Sequence, residues 1–179
     1  MDTIAFRQMY IDNLNWGGHI HAEIIINGTP FAEIAEKYER IAAEKGTGDY
    51  KKFDYVYDLA DSLYRQLAEN EMRDEKRNQK SLMICAGCYE AGCWGLHTTV
   101  EDNGIEVIWS NINNYHMAEA SDRLGWNWWD YSVFPSFRFA KDDYLAALKD
   151  LKVISDVAKD FHMLSYSERE NRDADFAST

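Results

Sequence analysis

Cys85, Cys88, Cys93 and His97 stand in the spacing C-x2-C-x4-C-x3-H, four side chains of metal-ligand type within thirteen residues. Zinc sites use such close cysteine pairs because one short turn aims two thiolates at a single tetrahedral ion. Gly87 and Gly92 supply the backbone freedom that such a turn needs. Strand geometry opposes the site. If the chain is extended from Cys93 to His97, the two lie about 13 Å apart, whereas ligand atoms of one zinc lie within ~4 Å of each other. The preferred reading is therefore three thiols packed as small hydrophobes in a tight connection, with no cofactor. A structural zinc held by Cys85, Cys88, Cys93 and His97 is the alternative. A catalytic thiol would need a base whose position the sequence does not give.

Two further patterns bear on chemistry. His19 and His21 alternate on one strand face, with Glu23 next on that face. Metal-dependent hydrolases use such pairs because alternate strand positions offer two ligands to one ion. The competing reading is a solvated strand face or a hydrogen-bonded core histidine. The run Trp126-Asn127-Trp128-Trp129-Asp130-Tyr131 is the densest aromatic stretch. Its candidate binding residues are Trp126, Trp128, Trp129 and Tyr131, since aromatic side chains on irregular segments anchor partners. They equally serve as core or as a lid over a sheet. The chain has no phosphate-cradling glycine loop, no G-x-S-x-G elbow and no H-E-x-x-H.

The elements that must position these residues follow from periodicity. Residues 4–14 and 19–26 read as strands, the second closed by Asn27-Gly28. Thr29 is an N-cap candidate with Pro30 at the first helical position. Phe31, Ile34, Ala35, Tyr38, Ile41 and Ala42 then follow at helical spacing, and Gly46 is placed to close that helix in a left-handed cap. A second helix is expected over 50–71, with Phe53, Val56, Tyr57, Ala60, Leu63, Tyr64 and Leu67 on one stripe. Residues 81–86 form a short strand candidate. Strands over 94–100 and 105–111 flank Asp102-Asn103-Gly104, a strong hairpin signal. Residues 132–140 alternate, with Pro135 arguing for an edge or a bulge. A helix over 141–161 carries Tyr144, Leu145, Leu148, Leu151, Val153, Ile154 and Val157 on or near its buried face. The polar stretch from about 165 is expected to be a mobile tail.

At the cysteine turn the chain resembles a group of uncharacterised bacterial proteins. The segment Cys88-Tyr89-Glu90-Ala91-Gly92-Cys93-Trp94-Gly95-Leu96 is similar to their C-x-C-G-x-x-G-C-W-like turn. In that group a hairpin strand with Trp-Ser follows, as in Trp109-Ser110 here. An F-x-F strand and a helix with Tyr and Ala-Leu come next, as in Phe137-Arg138-Phe139 and Tyr144 to Leu148. The resemblance covers roughly residues 81–148, plus the Ile26-Asn27-Gly28 turn. The first cysteine is displaced one residue upstream to Cys85, and Tyr89 replaces a glycine. Strict metal ligands do not drift in this way. The resemblance implies a fold and a bacterial origin, and carries no activity.

The bulk properties narrow the classes. The chain has 179 residues, 46% hydrophobic, which fits one domain over 1–179 with its own core. Strands and helices are segregated along it. The fold expected is α+β, an antiparallel or mixed sheet of about five to six strands covered by about three helices. Net charge is −12, from 31 acidic against 19 basic residues. Such a surface repels nucleic-acid backbones and anionic membranes and attracts a basic protein. No apolar run approaches the ~20 residues of a membrane span, and no secretory signal is visible. Three cysteines make no disulfide framework, so a reducing cytoplasm is the expected compartment. The function expected is a non-catalytic acidic binding protein, such as an immunity or inhibitor protein masking a basic partner. The alternative is a metal-dependent hydrolase using His19 and His21. Neither pattern sets an oligomeric state.

Overall fold

The computed structural model describes residues 1–13, 17–46, 50, 52, 54–71, 79–88, 94–118 and 129–163. Strands β1 (Ile4–Asn13) and β2 (Gly17–Ile26) pair antiparallel, from Ile4 opposite Ile26 to Asn13 opposite Gly17. Ile20, Ala22, Ile24 and Ile26 are fully buried, the apolar period-2 series of the core face, while His21 and Glu23 on the other face are buried as well. Asn27 and Gly28 adopt φ of 52° and 76°. This reverses the chain into β3 (Thr29–Pro30), which pairs back on β2.

Helix α1 (Phe31–Lys45) begins directly after Pro30. Thr29 is thus a strand residue rather than the expected cap, because its backbone is committed to Ile26. Gly46 closes the helix with φ −84°, not left-handed; its N–H bonds the carbonyls of Ala42 and Ala43 instead.

A five-stranded antiparallel sheet has the order β4-β5-β6-β7-β8: Tyr55–Tyr57, Lys80–Cys85, Gly95–Asp102, Glu106–Asn113 and Phe137–Ala140. The α+β expectation holds, with the strands divided between two sheets of three and five. The single helix expected over 50–71 is corrected to β4 followed by α2 (Ala60–Ala68). Tyr55-Val56-Tyr57 is intrinsically strand-prone, and pairing with β5 decides the conformation. Asp58 marks the change of element. Its Oδ1 accepts the Leu59 N–H at 2.8 Å, and its Oδ2 accepts from Ser62 and Gln66 at 3.0 and 2.7 Å. Gln66 in turn accepts the Ser81 N–H at 2.6 Å, where β5 is bulged, and so ties α2 to the sheet.

The β6–β7 hairpin turns at Asn103-Gly104, with Gly104 at φ 93°. Asp102 Oδ1 accepts the Gly104 N–H, and Asn103 Oδ1 accepts those of Ile105 and Glu106. Strand β8 is an edge strand, shorter than the expected 132–140, and Pro135 lies outside it. Residues Tyr131–Val133 form a 3-10 turn instead. The open edge of β8 is bridged in parallel by Asp2, whose N–H bonds Arg138 O at 2.8 Å, joining the chain start to the second sheet. A short helix α3 (Tyr115–Ala118) follows β7.

Helix α4 (Lys141–Met163) packs along α2, β1 and β2. Tyr144, Ala147, Leu148, Leu151, Ile154, Ala158 and Phe161 are its buried stripe. Leu145 and Val153, expected on or near that face, are exposed at 45% and 64%; each falls outside the 3.6-residue stripe. Trp109 anchors the core, edge-on to Phe139 and Tyr144 at 5.4 and 6.2 Å, with its indole N–H donating to Tyr144 at 3.3 Å. No helix among the described residues is long and apolar enough to cross a membrane. The tail expected from about 165 lies outside the described residues.

Candidate functional site

Helix α1 presents Ala32, Glu33, Ala35, Glu36 and Glu39 at helical spacing to a cleft of about 270 Å³. The opposite wall is built by Tyr50, Lys52, Asp54, Tyr55 and Met83. The volume is at the small end for ligand sites, room for one long side chain rather than a drug-sized molecule. Four carboxyl groups therefore face one ammonium. Glu36 is engaged by Lys52 at 2.8 Å and by Arg40 at 2.7 Å, and these cations hold its carboxyl below the usual range. Glu33 and Asp54 are exposed at the rim.

Glu39 is different. It is only 2% exposed, yet it carries a carboxyl on the helix face that otherwise buries Phe31, Ala35, Ala42 and Ala43. Its Oε1 accepts the hydroxyls of Tyr55 at 2.9 Å and Tyr131 at 2.8 Å. Asn114 donates to Tyr55 at 2.7 Å and so fixes that hydroxyl's orientation. Burial pushes the Glu39 carboxyl up to about 7, against the lowering effect of the two hydroxyl donors. Burial likewise raises both tyrosines, Tyr55 and Tyr131, so they stay protonated as donors. A side chain with its proton equilibrium near neutrality thus sits at the floor of an acidic cleft, a common mark of a functional site.

An aromatic ladder supports this floor. Arg40 lies 4.3 Å from the Tyr50 ring centre. Tyr50 stacks on Trp129 at 5.7 Å, Trp129 on Tyr131 at 6.3 Å, and Tyr131 on Phe134 at 5.5 Å. Trp129 and Tyr131, singled out in the sequence as binding candidates, are 1% and 8% exposed. They act from behind, holding Glu39 and Tyr50, and are not surface anchors. Trp126 and Trp128 lie outside the described residues.

The other sequence candidates do not converge. His21 is fully buried, with Nδ1 2.7 Å from the Tyr57 carbonyl oxygen. The His19 ring centre is 6.4 Å from that of His21, and Glu23 forms an ion pair with Arg7 across the β1–β2 ladder. His97 pairs with Ser81 and stacks on Tyr115 at 4.7 Å, while Cys85 pairs with Tyr55 at the far end of β5. Four strand steps, about 13 Å, separate the levels of Cys85 and His97 along β5. They are therefore not aimed at one ion. Cys88 lies in the turn after β5, and Cys93 is outside the described residues. Among the described residues, no group of three or more His, Cys, Asp or Glu side chains could hold a metal.

Sequence reasoning missed Glu39, Tyr55 and Asn114. The signal for Glu39 was present, as a carboxylate four residues after Ala35 and three before Ala42 on an apolar helix stripe. Comparison with family models, with curated proteins and with solved structures finds no match to this chain.

Proposed function

We propose that this chain is a non-catalytic acidic binding protein that masks a basic protein partner, in the manner of an immunity or inhibitor protein. The observation that carries the reading is the cleft beside α1. Four carboxyls line it, of which Glu36 alone is engaged by both Lys52 and Arg40, on a chain of net charge −12. Carboxylates gathered in a concave, low-dielectric wall focus the field of the whole molecule and speed encounter with a cationic surface. The same charge disfavours phosphate backbones and anionic membranes.

Affinity capture from lysate of the source cells, at low and high salt, tests the reading. The expected result is one dominant basic protein, retained 1:1 at low salt and weakened at high salt. No partner at either salt, or an acidic partner indifferent to salt, would overturn it.

A further inference from the structure

Glu39 is buried, yet its hydrogen bonding is incomplete. Oε1 is doubly occupied by the hydroxyls of Tyr55 and Tyr131, while Oε2 accepts no hydrogen bond from a described residue and is not among the side-chain atoms closed off from solvent without a partner. Oε2 therefore keeps contact with the solvent of the cleft that Glu39 lines. The cleft is also lined by Tyr50, Tyr55 and Met83, by the Glu36–Lys52 ion pair, and by the exposed Glu33 and Asp54. Aromatic and thioether surface beside an excess of carboxyl groups fits a cationic head on an aliphatic stem.

We propose that the cleft between α1 and β4 is a socket for one lysine side chain of the partner, with Glu39 Oε2 as its ion-pair acceptor. The assignment rests on the acidic-binding reading above and specifies its contact. Lysine is favoured over arginine because only one carboxylate oxygen is open. An ammonium satisfies a single acceptor as a point charge, whereas the planar guanidinium fork calls for two. The volume, about 270 Å³, accommodates the four-carbon stem and its head.

Binding is linked to protons at Glu39. The groups facing it are Glu36 on its own helix, Tyr55 and Asp54 from β4 and its lead-in, Tyr50 and Lys52 from the opposite wall, and Tyr131 from the 3-10 turn. Glu36 is held ionised and the three tyrosines are held protonated. Lys52 is raised by its bond to Glu36 and keeps its charge. Glu39 itself has its equilibrium near 7. An incoming ammonium, charged throughout this range, must displace its proton below that value, so affinity should rise about tenfold from pH 6 to pH 8.

The test is NMR titration of the intact chain with N-acetyl-lysine methylamide, its arginine and norleucine counterparts, and the side-chain-acetylated lysine form. The expected result is saturable binding of the lysine amide, with shifts confined to α1 and residues 54–57. Norleucine and acetylated forms should not bind, arginine should bind more weakly, and the rise between pH 6 and pH 8 should be about tenfold. Glu39→Gln should weaken binding at least about tenfold, with its fold confirmed by an unchanged urea transition slope. Asp142→Asn, on the exposed start of α4, should leave it unchanged. Equal losses in the two variants would reduce the effect to diffuse charge and overturn the socket, as would equal binding of lysine and norleucine. Arginine binding as tight as lysine overturns the lysine assignment. A captured partner whose affinity ignores Glu39→Gln removes the socket and leaves the masking reading standing. Intact lysine-amide binding with no captured partner removes the masking reading alone.

Discussion

Replacing Glu39 by Gln removes a proton equilibrium from the core while keeping the carbonyl oxygen that accepts from Tyr55 and Tyr131. In the folded chain burial raises this carboxyl from 4.5 to about 7. Each unit of difference between folded and unfolded states is worth about 1.4 kcal/mol. The gap therefore corresponds to about 3 kcal/mol, subject to no large solvent discount at a residue 2% exposed. The sign follows from proton counts. Between 4.5 and 7 the unfolded chain has lost the Glu39 proton and the folded chain has kept it, so stability falls as pH rises through this window. Below 4.5 both states are protonated, and above 7 both are ionised with the full penalty in place. Glu39→Gln should match the wild type near pH 4.5 and exceed it by up to about 3 kcal/mol at pH 8. Urea denaturation at half-unit pH steps reads this directly. With a slope of about 2 kcal/mol per molar urea, the midpoints should diverge by roughly 1.5 M at pH 8. Parallel pH profiles for the two proteins would refute the assignment of a buried, neutral-range carboxyl, whatever the absolute stabilities.

Other expectations concern the frame that holds the cleft. Gln66→Ala strips a donor from Asp58 and the acceptor from the Ser81 N–H, and urea titration should report a loss of about 2–4 kcal/mol. Trp109→Ala empties the fully buried centre between β7, β8 and α4; calorimetry should find a cost of about 3–5 kcal/mol. Gly104→Ala forces a side chain onto a backbone at φ 93°, and the same denaturation assay should show a cost of about 1–2 kcal/mol.

Much of the framework was legible in sequence. The alternation leading into Asn27-Gly28 located β2, and the Asp102-Asn103-Gly104 signal located the β6–β7 hairpin, because both depend on local backbone chemistry. Helices α1 and α4 followed from stripe spacing. Strand β4 was hidden because Val56 and Tyr57 lie in phase with the stripe of α2, and only pairing with β5 makes them extended. The cleft was hidden for a related reason. Glu39, Tyr55, Asn114 and Tyr131 are far apart in sequence and meet only when α1, β4, the end of β7 and the 3-10 turn converge. The aromatic run around Trp129 did mark the region. Composition could not say that Trp129 and Tyr131 would face inward and hold the floor of the cleft.

Titration calorimetry of the captured partner against the wild type and a Glu33→Lys, Glu39→Gln double variant, at pH 8 and low salt, tests whether a basic partner is held through the acidic cleft beside α1. The expected result is a 1:1 complex that loses at least about a hundredfold in affinity in the double variant, with the variant still folded by urea titration. Equal affinity for the two proteins would contradict it.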